Sequence, residues 1–193
     1  WKRNDVKPIC KACVEVVDEV IKPAFFETYP EVREYLDFVA GRIEEDETKP
    51  DKDISIPQVV WNSEKGGIEV LRRRGNAGFC DGANSIFQGL LADVAKSAYC
   101  EMTWEGYLGV KADGSSSPLA GTRFPFFLHD EPLAEAPEET AHLAGPRIAE
   151  IMIAAGRRLA PDVRWRAEPA LARVWSKDME PRYDSDGRLT VWT

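Results

Sequence analysis

Apolar residues recur at helical spacing near the start of the chain. Val6, Ile9, Cys13, Val16, Val17, Val20 and Ile21 fall on one face and predict a helix over about residues 6–28. Tyr29-Pro30 punctuates it. Pro30 suits the first turn of a new helix, where its missing N–H costs nothing, and Glu31 sits beside the positive end of the dipole. Val32, Tyr35, Leu36 and Val39 carry that helix's apolar face to about residue 45. Residues 44–53 are charged and hold Pro50, which predicts a solvated loop. Short β-like runs at 56–61 and 67–71, separated by polar and Gly residues, predict a hairpin. A longer helix is expected over about 83–106, then a flexible Gly- and Ser-rich connection over 109–121. Two β runs, 123–128 and 133–136, flank His129-Asp130-Glu131. Pro137, Glu138 and Glu139 open another helix, whose stripe is Ala141, Ala144, Ile148, Ile151, Met152, Ala155 and Leu159. Arg157 and Arg158 suit its negative end, and Gly145-Pro146 inside it predicts a kink. Residues 163–167 read as a strand, and the tail from Ser176 as irregular.

Helices followed by a β–β–α–β order make an α+β fold, with a helical segment over 1–52 and a second domain over 53–193. A length of 193 residues fits one domain or one large piece of a bigger enzyme. Six Trp and eight Phe are enough to build a core. No apolar run approaches the roughly 20 residues of a membrane span, and no signal-peptide pattern is present, so no membrane partner is expected. The four cysteines match no disulfide framework, which points to a reducing cytoplasm. Cys10 and Cys13 form a C-x-x-C pair. It reads as part of a zinc site, for which only His129 and His142 offer imidazoles, or as two small residues on a helix. The net charge of -8 argues against a generally nucleic-acid-binding surface. Basic residues do cluster at Arg72, Arg73 and Arg74 and at Arg164 and Arg166, so a local groove can still be positive.

Two segments carry candidate chemistry. In the first, the apolar run Phe124-Pro125-Phe126-Phe127-Leu128 delivers His129-Asp130-Glu131 to a hairpin tip before Pro132-Leu133 resumes a strand. Metal-assisted phosphoryl transfer needs rigid carboxylates that fix cations roughly 3.5–4 Å apart, and buried strands would hold such a tip firmly. A solvated acidic turn has the same pattern. The second segment runs from Ala83 to Lys96. Asn84 and Gln88 are four residues apart, so both amides lie on one helical face. Gly89 costs about 1 kcal/mol in a helix relative to Ala, which suggests that something approaches closely. Amides suit the acceptors that every base pair shows in the minor groove. An ordinary amphipathic helix with polar residues outward accounts for the pattern equally well.

The run N-x-x-x-Q-G-x-x-A-D-x-x-K over 84–96, followed by an apolar strand ending in H-D-E, resembles family A DNA polymerases. Phe26-Glu27-Thr28-Tyr29-Pro30-Glu31-Val32-Arg33-Glu34-Tyr35 is similar to the family's F-x-x-Y-P-x-V-x-x-Y fingers segment. The closing stretch, Glu168-Pro169-Ala170-Leu171 through Trp175-Ser176-Lys177 to Trp192, looks like the phage-encoded branch. The resemblance spans about residues 5–175. It implies a fingers-like segment over 1–52 and a palm-type antiparallel sheet packed by helices over 53–193. It also implies DNA-directed nucleotidyl transfer with magnesium ions, and a host cytoplasm if phage-encoded. By position, Asp130 and Glu131 would be the catalytic, metal-binding acids, His129 would contact the primer end, and Asn84 and Gln88 would touch the primer–template minor groove.

The family's other acidic motif, D-x-S-x-x-E-x-R, is absent, as is the K-x-x-x-x-x-x-Y-G helix that grips the deoxynucleoside triphosphate. Cys80 stands where the family usually places Arg. One carboxylate motif cannot clamp two cations, so the isolated chain is expected to be inactive. It would need a complementary polymerase chain or an upstream segment. Two other readings use the same residues: a non-catalytic DNA-binding or assembly module that keeps the palm scaffold, and an unrelated α+β interaction protein.

Overall fold

The computed structural model describes residues 10–44, 54–60, 68–74, 79–128 and 130–193, with the backbone alone for 42–44, 54–60 and 68–74. In chain order, α1 (Lys11–Val16) passes through a π-helical turn at Val17–Ile21 into α2 (Lys22–Thr28). Next come α3 (Pro30–Glu44), β1 (Ile54–Val60), β2 (Ile68–Arg74) and α4 (Phe79–Leu108). The rest is β3 (Arg123–Leu128), β4 (Glu131–Glu135), α5 (Ala141–Leu159), β5 (Leu171–Ala172), β6 (Arg182–Tyr183) and β7 (Leu189–Trp192). The fold is α+β. Among the described residues the strands form the antiparallel pairs β1–β2 and β3–β4 and a mixed sheet of order β5–β7–β6. The chain divides into two compact units, Trp1–Ile86 and Phe87–Thr193.

In the first unit the break at Tyr29-Pro30 falls where the sequence puts it. A residue before proline is pushed out of the helical region, and Tyr29 has φ -129° and ψ 71° while Pro30 opens α3. The Phe25 and Tyr29 rings lie 5.2 Å apart beside the break, and Arg33 stands 5.4 Å over Phe26. Val39 is buried against Tyr35, Ala83 and Ile86, and the Tyr35 hydroxyl donates to the Ala83 carbonyl. The first helix behaves differently. Its described part begins at Lys11, and Val16, Val17, Val20 and Ile21 are all exposed, with no residue from Lys11 to Thr28 buried. The expected β hairpin is present, in register from Ile54 opposite Arg74 to Val60 opposite Ile68. The loop expected at 44–53 lies, beyond Glu44, outside the described residues, as do residues 6–9.

The second unit is built on α4 and α5. Val94, Ala98 and Met102 are spaced by four along α4, and Ala144, Ile148, Ile151 and Ala155 make the facing stripe of α5. Arg158 bridges the two helices, donating to the Glu101 carboxylate at 3.0 Å and to the Ser97 hydroxyl at 3.2 Å. The core includes a residue from the segment expected to be flexible: Leu119 is fully buried. Residues 109–121 are ordered by backbone bonds from Ser117 to Gly109 (2.9 Å) and from Gly121 to Gly106 (3.0 Å). Gly109 (φ 69°) and Gly121 (φ 78°) take left-handed conformations that Gly adopts without steric cost, so these glycines make turns rather than slack.

Two further expectations are corrected. α5 starts at Ala141 rather than Pro137, because Pro137 to Thr140 forms a turn closed by the Thr140 N–H on the Pro137 carbonyl (3.1 Å). Residues 163–167 pair with no strand. Trp165 lies over Gly156, where a Cβ would stand 2.2 Å from the ring, and its indole N–H donates to the Ala160 carbonyl at 3.0 Å. The tail from Ser176 is irregular, as expected, except for the short strands β6 and β7. Asp184 accepts the N–H groups of Asp186 (3.0 Å) and Arg188 (2.8 Å), which turns β6 into β7 and buries Leu189.

Candidate active site

The H-D-E segment sits where two short strands meet. Leu128 pairs with Glu131, so only His129 and Asp130 lie between β3 and β4. Pro125 brings no N–H to the ladder, and the register shifts between Arg123 and Phe126, as a proline in a strand requires. What anchors the hairpin is Tyr99 of α4. Its hydroxyl donates to the Phe124 carbonyl at 2.6 Å, and its ring stands edge-on to Phe124 (5.9 Å) and Phe127 (5.8 Å). The strand was expected to be buried, yet Phe126 is 49% and Leu128 40% exposed. One side of β3 is therefore open, and Tyr99 supplies the hold that burial was expected to give.

Asp130 and Glu131 are exposed, and neither has a hydrogen-bond or ion-pair partner among the described residues. His129 lies outside the described residues. Gln88 is exposed on α4; Asn84, also exposed, stands a turn earlier on that helix and belongs to the first unit. Gln88, Ala92, Ala95 and Tyr99 follow each other at offsets of four, three and four, so the helix face that holds β3 is the face that carries Gln88. Gln88, Asp130 and Glu131 line one groove of about 1690 Å³. The chain after α5 adds Trp165, Arg166, Arg173, Trp175 and Lys177 to that lining. Arg173 pairs with Glu138 at 2.5 Å, and Arg166 pairs with Glu168. Both pairs are solvent-exposed and worth at most about 1 kcal/mol, so either guanidinium can exchange its partner for a phosphate.

The acids fit magnesium in kind. That ion takes one or two carboxylates together with water and substrate phosphate oxygens, and the Asp130 and Glu131 side chains have no competing partner among the described residues. Among the described residues no third acidic, His or Cys ligand joins them.

A third carboxylate, unremarked in the sequence, has the opposite character. Glu105 of α4 is 2% exposed and takes two bonds from Arg147 of α5, at 2.5 and 3.0 Å, and one from the Ser117 hydroxyl at 2.5 Å. Burial by itself pushes the Glu105 carboxyl up. The hydrogen bonds from Arg147 and Ser117, with the charges of Arg147 and Lys111, outweigh it and hold the group below its ordinary value. Arg147 is raised, chiefly by its bond to Glu105. This acid holds the fold and offers nothing to a ligand.

Comparison with protein-family models, with curated proteins and with solved structures finds no match. No described helix is long and apolar enough to cross a membrane.

Proposed function

We propose that the chain is the C-terminal fingers-and-palm portion of a DNA-directed DNA polymerase resembling family A, working in the cytoplasm on a primer–template. The observation that carries this reading is the shared groove, in which the amide of Gln88 and the carboxylates of Asp130 and Glu131 line one cavity. Asp130 and Glu131 would hold magnesium, which supplies charge stabilisation during phosphoryl transfer. Gln88, with Asn84 a turn before it, would read minor-groove acceptors. Arg166, Arg173 and Lys177 offer charge for the phosphate backbone, and Trp165 and Trp175 offer faces for unpaired bases. The β3–β4 pair would be part of the palm sheet. Its open face, with Phe126 and Leu128, would pack against a complementary chain that carries the first Asp.

A second reading, a non-catalytic DNA-binding or assembly module, is favoured by the absence of a third ligand among the described residues. One series of measurements separates the two. The full chain should bind a fluorescent 3′-recessed primer–template in magnesium and bind it less well in EDTA. It should extend the primer only when mixed with a chain that supplies D-x-S-x-x-E-x-R and the nucleotide-gripping helix. No binding in magnesium would remove the polymerase reading and the DNA-binding form of the module. Binding without extension in the mixture would leave the module, and extension by the isolated chain would overturn the need for a partner.

A further inference from the structure

The proposed polymerase site leaves the C-x-x-C pair unused. Cys10 is the N-cap of α1, with φ -62° and ψ 118°, and its carbonyl accepts the Val14 N–H at 3.1 Å. Cys13 is therefore the third residue of a helical run that continues to Thr28. N-cap and third-position side chains are neighbours, because the N-cap side chain turns back toward the third N–H. The helical rise and radius put the Cα atoms of residues three apart about 5 Å from each other, inside the Cα range a disulfide spans. Both thiols are exposed. The remaining cysteines differ in one respect. Cys80 and Cys100 are also exposed, but both ride on α4 twenty residues apart, about 30 Å at the helical rise, and cannot reach each other.

We propose that Cys10 and Cys13 are a redox-active dithiol that closes to a disulfide by exchange with a small-molecule disulfide such as oxidised glutathione. The Cys10 thiolate attacks one glutathione sulfur; that S–S bond breaks, and the first glutathione thiolate leaves and takes up a proton. The Cys13 thiolate then attacks the Cys10 sulfur, displaces the second glutathione and forms the Cys10–Cys13 bond. The chain loses two thiol hydrogens and is oxidised by two electrons, and the small disulfide is reduced to two thiols. Cys10 is the better first nucleophile. No side-chain hydrogen bond caps α1, yet the N–H and thiol of Cys13 favour the Cys10 thiolate and hold its pKa below the ordinary value.

The test uses the full chain with Cys80→Ser and Cys100→Ser, equilibrated across ratios of oxidised to reduced glutathione and read by intact mass and peptide mapping. The expected product is a Cys10–Cys13 disulfide, lighter by two hydrogens and reversed by dithiothreitol. Cys13→Ser should stop at one glutathionyl adduct on Cys10, and Cys10→Ser should react at least about tenfold more slowly. Two stable glutathionyl adducts with no internal bond would overturn the proposal. So would equal reaction rates at Cys10 and at Cys80 and Cys100 in the unsubstituted chain. Circular dichroism of each variant separates loss of reactivity from loss of the helix.

Discussion

Glu105 and the Asp130–Glu131 pair place the same functional group in opposite surroundings within one unit. Glu105 is buried, and three hydrogen bonds meet its two oxygens. Asp130 and Glu131 stand in water with no partner among the described residues. A buried charge survives only when its partners replace the water it lost, so Glu105 is held in place by Arg147 and Ser117. An exposed acid pair at a tight turn gains nothing from folding, and its free valences are what a cation or a ligand would use. The lesson is that burial and satisfaction, rather than residue type, separate an acid that builds from an acid that can bind.

The largest expected effect falls on the buried side. Arg147→Ala strands the Glu105 carboxylate and should cost about 3–5 kcal/mol, read as a fall in the urea midpoint at neutral pH. The same pair sets a pH dependence whose sign is fixed. The folded pKa of Glu105 lies below its unfolded one, so its contribution is full above the ordinary carboxylate value of about 4.3 and fades as pH falls through the depressed folded value. Glu105→Gln should therefore flatten the loss of stability below that pH. An unchanged acid limb in the Gln variant would mean that Glu105 is not held as described.

On the exposed side the signs reverse. Asp130→Ala should leave the urea midpoint within about 0.5 kcal/mol. In the mixture with a complementary chain it should lower primer extension by about 3 kcal/mol of barrier, on the order of 10²-fold. If Asp130→Ala unfolds the chain, the contrast between the two acids collapses.

The long elements were legible because their signals are long. Val94, Ala98 and Met102, and Ala144, Ile148, Ile151 and Ala155, repeat over several turns, and a period of 3.6 needs that many residues to stand out. The acid tip was legible because an apolar run broken by three polar residues has few other uses. The rest depends on partners distant in the chain. Glu105 and Arg147 are 42 residues apart and each looks like one more charge on a helix surface. The strands β5 and β6 hold two residues each, too few to show alternation. Residues 163–167 alternate because Trp165 inserts over Gly156, so a real packing signal imitated a strand. The Gly and Ser of 109–121 read as slack in the sequence, whereas they make turns around Leu119. Of the groove, Gln88, Asp130 and Glu131 could be named in advance, whereas the lining supplied by Trp175 and Lys177 depends on how the tail folds back.

That packing can be probed directly. Gly156→Ala would place a methyl 2.2 Å from the Trp165 ring, and the ring is too rigid to yield without moving the segment that carries it. The expected cost is about 1–3 kcal/mol in the urea midpoint. A shift of Trp165 should also blue- or red-shift its fluorescence and weaken ligand binding in the groove, since Trp165 and Arg166 both line it. A stability loss with binding untouched would detach this wall from function.

The smallest effect is expected at Gln88. It is exposed, it lies on the helix face that carries Tyr99, and its amide is the nearest thing the groove has to a neutral reader of base edges. Gln88→Ala removes one hydrogen-bonding group from a wet surface, so it should weaken primer–template binding by about 1 kcal/mol, on the order of fivefold, and leave stability unchanged. Because the proposed contact is to acceptors common to all base pairs, the loss should be the same for every primer-end sequence. Glu131→Gln provides the counterpart: it should weaken binding in magnesium and leave binding in EDTA unaffected or improved, since it removes a charge that repels phosphate. Equal effects of both substitutions with and without the metal would show that the amide and the acid do not divide the ligand between base edge and cation, and the groove would then be a polar surface without the roles assigned to it.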